Sequence, residues 1–203
     1  MKKSIYLIAD PAIEQSVLLD KIEMALKGGI FAVQLWNNWQ KVANKIEIIE
    51  TIHQLTKLGG VPLILNEGQD CLDLTCFDGI HLDFPNEMIQ EYRQKRPDLI
   101  WGLTCSNETE KLIWAEQNSL DYISYCSIFP SKTSNSCELV SFDTIDKTRE
   151  FFSRKVFLAG GINQNTIPNL KELQFDGIAL VSAIMDAENP TEVVLNYSEI
   201  LNH

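Results

Sequence analysis

Eight short apolar runs, each followed by a segment of helical periodicity or length, recur along the chain and leave few folds open to it. The runs fall at residues 4–9, 30–36, 61–65, 79–82, 99–104, 121–126, 156–159 and 176–181. They carry little charge, as expected of strands buried on both faces of a parallel sheet. Helical patterns cover residues 13–27, 40–57, 86–95, 108–118, 141–152, 165–173 and 190–201, with a shorter piece through Leu72 and Leu74. Asp10-Pro11, Gly28-Gly29 and Gly59-Gly60 punctuate the first units. No linker or low-complexity stretch interrupts the series, so the alternation is itself the internal repeat. It implies an α/β fold, a (β/α)8 TIM barrel, as a single domain over residues 1–203. With 203 residues and 45% hydrophobic content, the chain can bury such a core.

A parallel barrel gathers its chemistry at the carboxyl ends of its strands, often with a phosphate after the seventh and eighth. That topology predicts one rim. In chain order it holds Gln34, Trp36 and Asn38; Asn66 and Glu67; His81 and Asp83; Thr104 and Ser106; Ser127, Ser131, Lys132, Thr133 and Ser134; Gly160 and Gly161; and Val181 and Ser182. Residues 127–138 form a polar loop with Pro130, longer than the usual connection after a strand. Gly160 and Gly161 stand between a strand end and a predicted helix start, where bare N–H groups and the helix dipole favour an anion. The competing reading of the pair is a tight turn that needs glycine's freedom.

The formal net charge of −11, with basic residues scattered, argues against nucleic acid or an anionic membrane surface as partner. No apolar stretch is long enough for a signal peptide or a bilayer span, so a cytoplasmic location is expected. Five cysteines, Cys71, Cys76, Cys105, Cys126 and Cys137, lack any Cys-x-x-Cys spacing and support neither a disulfide framework nor a structural zinc site. Cys105 and Cys126, near predicted strand ends, read as small buried hydrophobes. The sequence leaves oligomeric state open and is compatible with a homo-oligomer.

Several rim residues, taken with their flanks, carry a family resemblance. The pieces are Val33-Gln34-Leu35; Leu65-Asn66 with Asp78-Gly79-Ile80-His81-Leu82; residues 102–104; Asp121-Tyr122-Ile123 with Phe129-Pro130-Ser131-Lys132-Thr133; Ala159-Gly160-Gly161-Ile162; and Asp176-Gly177-Ile178 with Val181-Ser182-Ala183-Ile184. Their order and spacing over nearly the whole chain resemble the thiamine phosphate synthase family, which includes a branch of thiazole tautomerases. The resemblance implies a transferase that joins hydroxymethylpyrimidine diphosphate to thiazole phosphate and releases pyrophosphate, through carbocation character at the pyrimidine methylene, with magnesium assisting departure. It places Gln34 and Thr104 near the pyrimidine with His81 close by, and Asn66, Ser131 and Thr133 toward the pyrophosphate. Gly160, Gly161, Val181 and Ser182 would hold the thiazole phosphate, and small phosphorylated heterocycles are the expected partners.

The chain departs from the family pattern at Trp36 and Asn38, where synthases carry Arg and Lys, and at Ser134, where they carry Lys. Glu67 stands for a metal-binding Asp and Asn86 for a second one. Glu67 and Asp83 remain as hard oxygen ligands for Mg2+, and Lys132, displaced by two positions from Ser134, hardly offsets the cations missing from the depleted diphosphate clamp. Where the tautomerase branch has His, this chain has Ser106, which is no proton shuttle near neutral pH. Alternatives to synthesis are a non-catalytic binder of a phosphorylated thiazole, pyrimidine or thiamine compound, and a tautomerase-like isomerase. For individual residues too, two readings stand. His81 is a ligand-facing group or a hydrogen-bonded core histidine; Trp36 stacks on a heterocycle or plugs the mouth; Asn66 faces the site or caps a helix. His53 reads as solvated surface.

Overall fold

The computed structural model describes residues 2–130 and 138–203. Eight parallel strands close a barrel in sequence order: β1 (Ser4–Ala9), β2 (Ala32–Leu35), β3 (Leu63–Asn66), β4 (Gly79–Leu82), β5 (Ile100–Cys105), β6 (Tyr122–Cys126), β7 (Lys155–Ala159) and β8 (Gly177–Leu180). The helices are α1 (Gln15–Gly28), α2 (Lys45–Leu58), α3 (Ile89–Lys95), α4 (Thr109–Gln117), α5 (Phe142–Phe151), α6 (Ser182–Met185) and α7 (Pro190–Asn202). The (β/α)8 expectation therefore holds.

Caps fix where helices begin and end. Glu14 accepts from the Ser16 and Val17 N–H groups at the start of α1, and Gly29, at φ 87°, closes it by donating to the Leu26 carbonyl. The predicted start of α2 at residue 40 moves to Lys45, because Asn44 caps it by accepting from Glu47 N. Residues 37–43 instead cross the rim. The predicted helix at 165–173 is only a 3-10 turn, Ile167–Leu170. Apolar residues at 167, 170 and 173 recur every third position, which suits a 3-10 turn better than an α-helix.

Alternation along the strands separates two cores. Ile5 and Leu7 face outward with Leu18, Ile22, Ile49 and Ile52 of the helices. Tyr6, Ala32, Ile64, Tyr122, Phe157, Ala159 and Ala179 fill the barrel interior. Gly102 is one condition for that filling, since a Cβ there would lie 2.1 Å from the Tyr122 ring. Tyr122 in turn packs edge-on against Tyr6 and Phe157.

Three motifs that carried the resemblance prove to brace the opposite end of the barrel. Asp78, Asp121 and Asp176 each sit one residue before an even-numbered strand. Each carboxylate accepts from a backbone N–H of the preceding strand, Leu63, Trp101 and Val156 respectively, all at 2.8 Å. Their own N–H groups donate back to the carbonyls of the same three residues. These aspartates lock strand pairs at the amino ends and stand away from the rim. Asp78 is also 3.6 Å from His53 Nε2, and His53 is partly buried, contrary to the solvated reading.

Candidate functional site at the barrel mouth

The ends of strands β2 to β6 carry polar residues on neighbouring positions of the sheet. Asn66 pairs with His81, His81 with Gly102, and Thr104 with Ser124. Gln34, Asn66 and His81 are buried despite their polarity, and Thr104 is partly so. Buried polar groups need partners, and here they find one another. Tyr6 Oη donates to Gln34 Oε1 at 2.8 Å and lies 2.8 Å from Tyr122 Oη. Tyr122 Oη is 2.9 Å from His81 Nδ1, and His81 Nε2 is 2.9 Å from Thr104 Oγ1. His81 is thus a hydrogen-bonded interior histidine with both ring nitrogens engaged, as the core reading has it. Burial lowers its pKa to about 3, so the imidazole is neutral near pH 7. Burial raises both tyrosines as well, and they stay protonated.

A second cluster adjoins the first. Asn66 Nδ2 donates to Asp83 Oδ1 at 3.0 Å and to the His81 carbonyl, while Asn66 Oδ1 accepts from Asn37 N at 3.2 Å. All of the Asn66 amide is committed to the rim. It caps nothing; the residue before the 3-10 turn Gly68–Cys71 is Glu67, in the left-handed region at φ 50°. Glu67 accepts from Asp83 N through Oε1 and from Gln69 Nε2 through Oε2. Burial raises the Asp83 carboxyl, Glu67 raises it further, and Asn66, Thr104 and Lys111 pull the other way. The opposition of Glu67 to ionisation of Asp83 is what a cation would relieve, and both side chains are hard oxygen donors. The described residues hold no cluster of three or more His, Cys, Asp or Glu of metal-binding kind. The pair therefore fits a Mg2+ held by one or two carboxylates and substrate phosphates, and does not form an all-protein cage.

The β7 and β8 side is built otherwise. Gly160 and Gly161 have φ of 89° and 66°. A Cβ on Gly160 would meet Ser127 Oγ at 1.9 Å, and one on Gly161 would meet the Phe129 carbonyl oxygen at 2.5 Å. Ile128 N and Phe129 N donate to the Ala159 and Gly160 carbonyls. The glycines thus let the chain after β6 lie directly on the end of β7, and the turn reading of the pair is met. The helix expected after them is absent. Instead Val181 leads into α6, which Ser182 opens, exposed beside the same rim.

Other rim expectations divide. Trp36 is 43% exposed, so it does not plug the mouth. Asn38 donates to both Asp10 oxygens at 3.1 Å, and Ser106 to Glu108 at 3.3 Å. Ser131, Lys132, Thr133 and Ser134 lie outside the described residues. Cys105 is buried, and burial pushes its thiol up to about 12, in keeping with an inert hydrophobe. No disulfide joins Cys71, Cys76, Cys105 or Cys126. No helix among the described residues is long and apolar enough to cross a membrane. Sequence reasoning missed Tyr6 and Tyr122 as members of the site. The available signal was a tyrosine inside a buried strand, whose hydroxyl must find a partner.

Comparison with known proteins bears on the chain as a whole. Residues 5–184 match the family model described as thiamine monophosphate synthase. Thiamine-phosphate synthase of Vibrio campbellii is 34% identical over 191 residues, covering 92% of each chain. That of Methanococcus maripaludis is 27% identical, covering 98% of this chain and 95% of the relative. Among solved structures, the thiamine phosphate pyrophosphorylase of Pyrococcus furiosus superposes with a TM-score of 0.81 at 25% identity, over 98% of this chain and 96% of that one.

Proposed function

The chain belongs to the thiamine monophosphate synthase family, and from that premise we propose that it joins hydroxymethylpyrimidine diphosphate to thiazole phosphate, with loss of pyrophosphate. The observation that carries the reading is the buried, neutral chain from Gln34 to Thr104 beside the Asn66, Glu67 and Asp83 cluster. The first offers a flat heterocycle hydrogen bonds without a competing charge. The second stands where a diphosphate and its cation would be held.

In this reading Gln34 and Thr104 bind and orient the pyrimidine, and His81 fixes Thr104 from below. Neutral groups under the ring suit a methylene that gains positive character, because a buried imidazolium there would oppose it. Asn66 holds Asp83 in place. Mg2+, carried by Glu67 and Asp83 when bound, would supply charge neutralisation for departing pyrophosphate. Gly160, Gly161, Val181 and Ser182 take the thiazole phosphate through backbone N–H groups, supported by the first N–H groups of α6, which have no acceptor within the helix. Ser131, Thr133 and Lys132 are assigned to the pyrophosphate by the family resemblance alone.

The test is pyrophosphate release from the two substrates, with and without Mg2+. Turnover that requires both substrates supports the reading. Saturable binding of thiazole phosphate with no pyrophosphate release favours the second reading, a non-catalytic binder. That alternative has its own support, since Asn38 is engaged by Asp10 and Trp36 brings no charge to the end of β2. A tautomerase-like reading would need a proton shuttle, and Ser106 supplies none.

A further inference from the structure

We propose that Tyr6 and Tyr122 are positioning residues, whose hydroxyls couple the orientation of the Gln34 amide to the tautomer of His81 across the barrel interior. Four hydrogen bonds run in series: Gln34 to Tyr6, Tyr6 to Tyr122, Tyr122 to His81 Nδ1, and His81 Nε2 to Thr104. Each of the three inner groups, while neutral, has one proton to give along this line. A group that donates one way must accept from the other, so all four bonds share a single direction.

The orientation of the Gln34 amide sets the direction. Tyr6 donates to Gln34 Oε1, which spends its only hydrogen. Tyr122 must then donate to Tyr6, and can only accept from His81, so the proton of His81 sits on Nδ1. Nε2 is left as an acceptor, and Thr104 donates to it, in competition with the Asp83 carboxylate that its hydroxyl also approaches. The interior shields this order. Tyr6, Tyr122 and His81 are almost fully buried, and the Tyr122 ring is held by Gly102, Phe157 and the stacked imidazole, so no bulk water interrupts the line.

The consequence for binding rests on the function proposed above. With Oε1 turned to Tyr6, the Gln34 NH2 has no hydrogen-bond partner among the described residues. It is a donor held for an acceptor nitrogen of a heterocycle. Releasing Oε1 lets the amide turn over and removes the selection.

The coupling is tested by nitrogen NMR of the imidazoles in the labelled full chain near pH 7, which needs no substrate. The chain has three histidines, and His53→Gln and His203→Gln identify the signals that are not His81. The expected wild-type pattern is the Nδ1–H tautomer at His81. Tyr6→Phe keeps the ring and its packing but removes the acceptor for Tyr122, which becomes able to donate to Nδ1. His81 should then gain the Nε2–H tautomer, although residue 6 makes no hydrogen bond to it. Tyr122→Phe should relax the tautomer too. Nε2–H in the wild type, or an unchanged Nδ1–H pattern in folded Tyr6→Phe, overturns the proposal. A second arm measures pyrimidine diphosphate binding, where Tyr6→Phe should weaken affinity by about tenfold, the scale of one neutral hydrogen bond. A shifted tautomer in a protein that binds no pyrimidine diphosphate would overturn the proposed function and leave the coupling supported.

Discussion

On the β2 to β6 side of the mouth, the polar groups are side chains that hydrogen-bond one another below the rim; on the β7 and β8 side, backbone packs on backbone because side chains are excluded. Gln34, Asn66, His81 and Thr104 each have a named partner within 3.3 Å. Gly160 and Gly161 have instead a neighbouring backbone so near that no Cβ fits. The first arrangement gives directed donors and acceptors, suited to a flat heterocycle. The second leaves backbone groups as the only ones the two glycines could offer a ligand, which would suit a compact anion. The two sides should therefore fail differently when altered.

The largest effect belongs to the glycine side. Gly160→Ala puts a methyl group on Ser127 and imposes a positive φ on a residue with a Cβ. The combined cost is of order 3 kcal/mol, read as a lower denaturation midpoint. A variant as stable as wild type would show that the contact with residues 127–130 is dispensable and would remove the contrast. Gly161 offers no cleaner probe of anion binding, since its substitution collides with Phe129 before it could cover a ligand.

On the side-chain half, loss of a partner should matter more than change of shape. Asn66→Leu keeps the bulk but strands Asp83 and the Asn37 N–H. About 2 kcal/mol of stability should go, and the Mg2+ requirement of turnover should rise. Asn66→Asp still accepts from Asn37 but sets a second carboxylate against Asp83, so it should lose at least as much; a clearly smaller loss would show that the bond to Asp83 is dispensable.

Acid should also act on this half. The folded pKa of His81, about 3, lies below its ordinary value near 6.5. Above pH 6.5 the residue is neutral in both states and costs nothing. As pH falls through 6.5 the unfolded chain takes up a proton that the folded chain refuses, so stability drops by up to about 1.4 kcal/mol per pH unit until the folded group titrates. Denaturant midpoints between pH 7 and 5 would read this, and His81→Gln should flatten the slope. A slope unchanged by that substitution assigns the acid sensitivity to other groups.

How much of this the sequence disclosed follows from which patterns it repeats. All eight strands were legible, because each is an apolar run bounded by turn residues. The mouth was legible as a set, because topology alone brings strand ends together. The inner tyrosines were not. In Ile5-Tyr6-Leu7-Ile8 both faces of the strand are apolar or aromatic, so alternation does not say which one points into the barrel. The bracing role of Asp78, Asp121 and Asp176 was not legible either, because each stands in the sequence as a flank of a motif and only the fold brings its carboxylate to the preceding strand. Helix lengths were overread at 40–44 and 165–173, where a cap at Asn44 and a threefold apolar spacing overrode the longer pattern.

The smallest expected change in stability gives the sharpest test of the missing cations. Trp36 is 43% exposed at the end of β2, so Trp36→Arg should alter stability by no more than about 0.5 kcal/mol. A guanidinium there could reach a diphosphate in the mouth, and affinity for the pyrimidine diphosphate should rise about tenfold, with thiazole phosphate unaffected. Asn38→Lys should not do the same. Asn38 already lies on Asp10, at 3.1 Å from both carboxylate oxygens, and an ammonium in its place would pair with that carboxylate before it met a ligand. The two positions look equivalent in sequence, two residues apart after one strand, yet Asn38 is engaged by a carboxylate and Trp36 is exposed. A gain from Asn38→Lys with none from Trp36→Arg would reverse that assignment and place the diphosphate nearer Asp10 than Asn66.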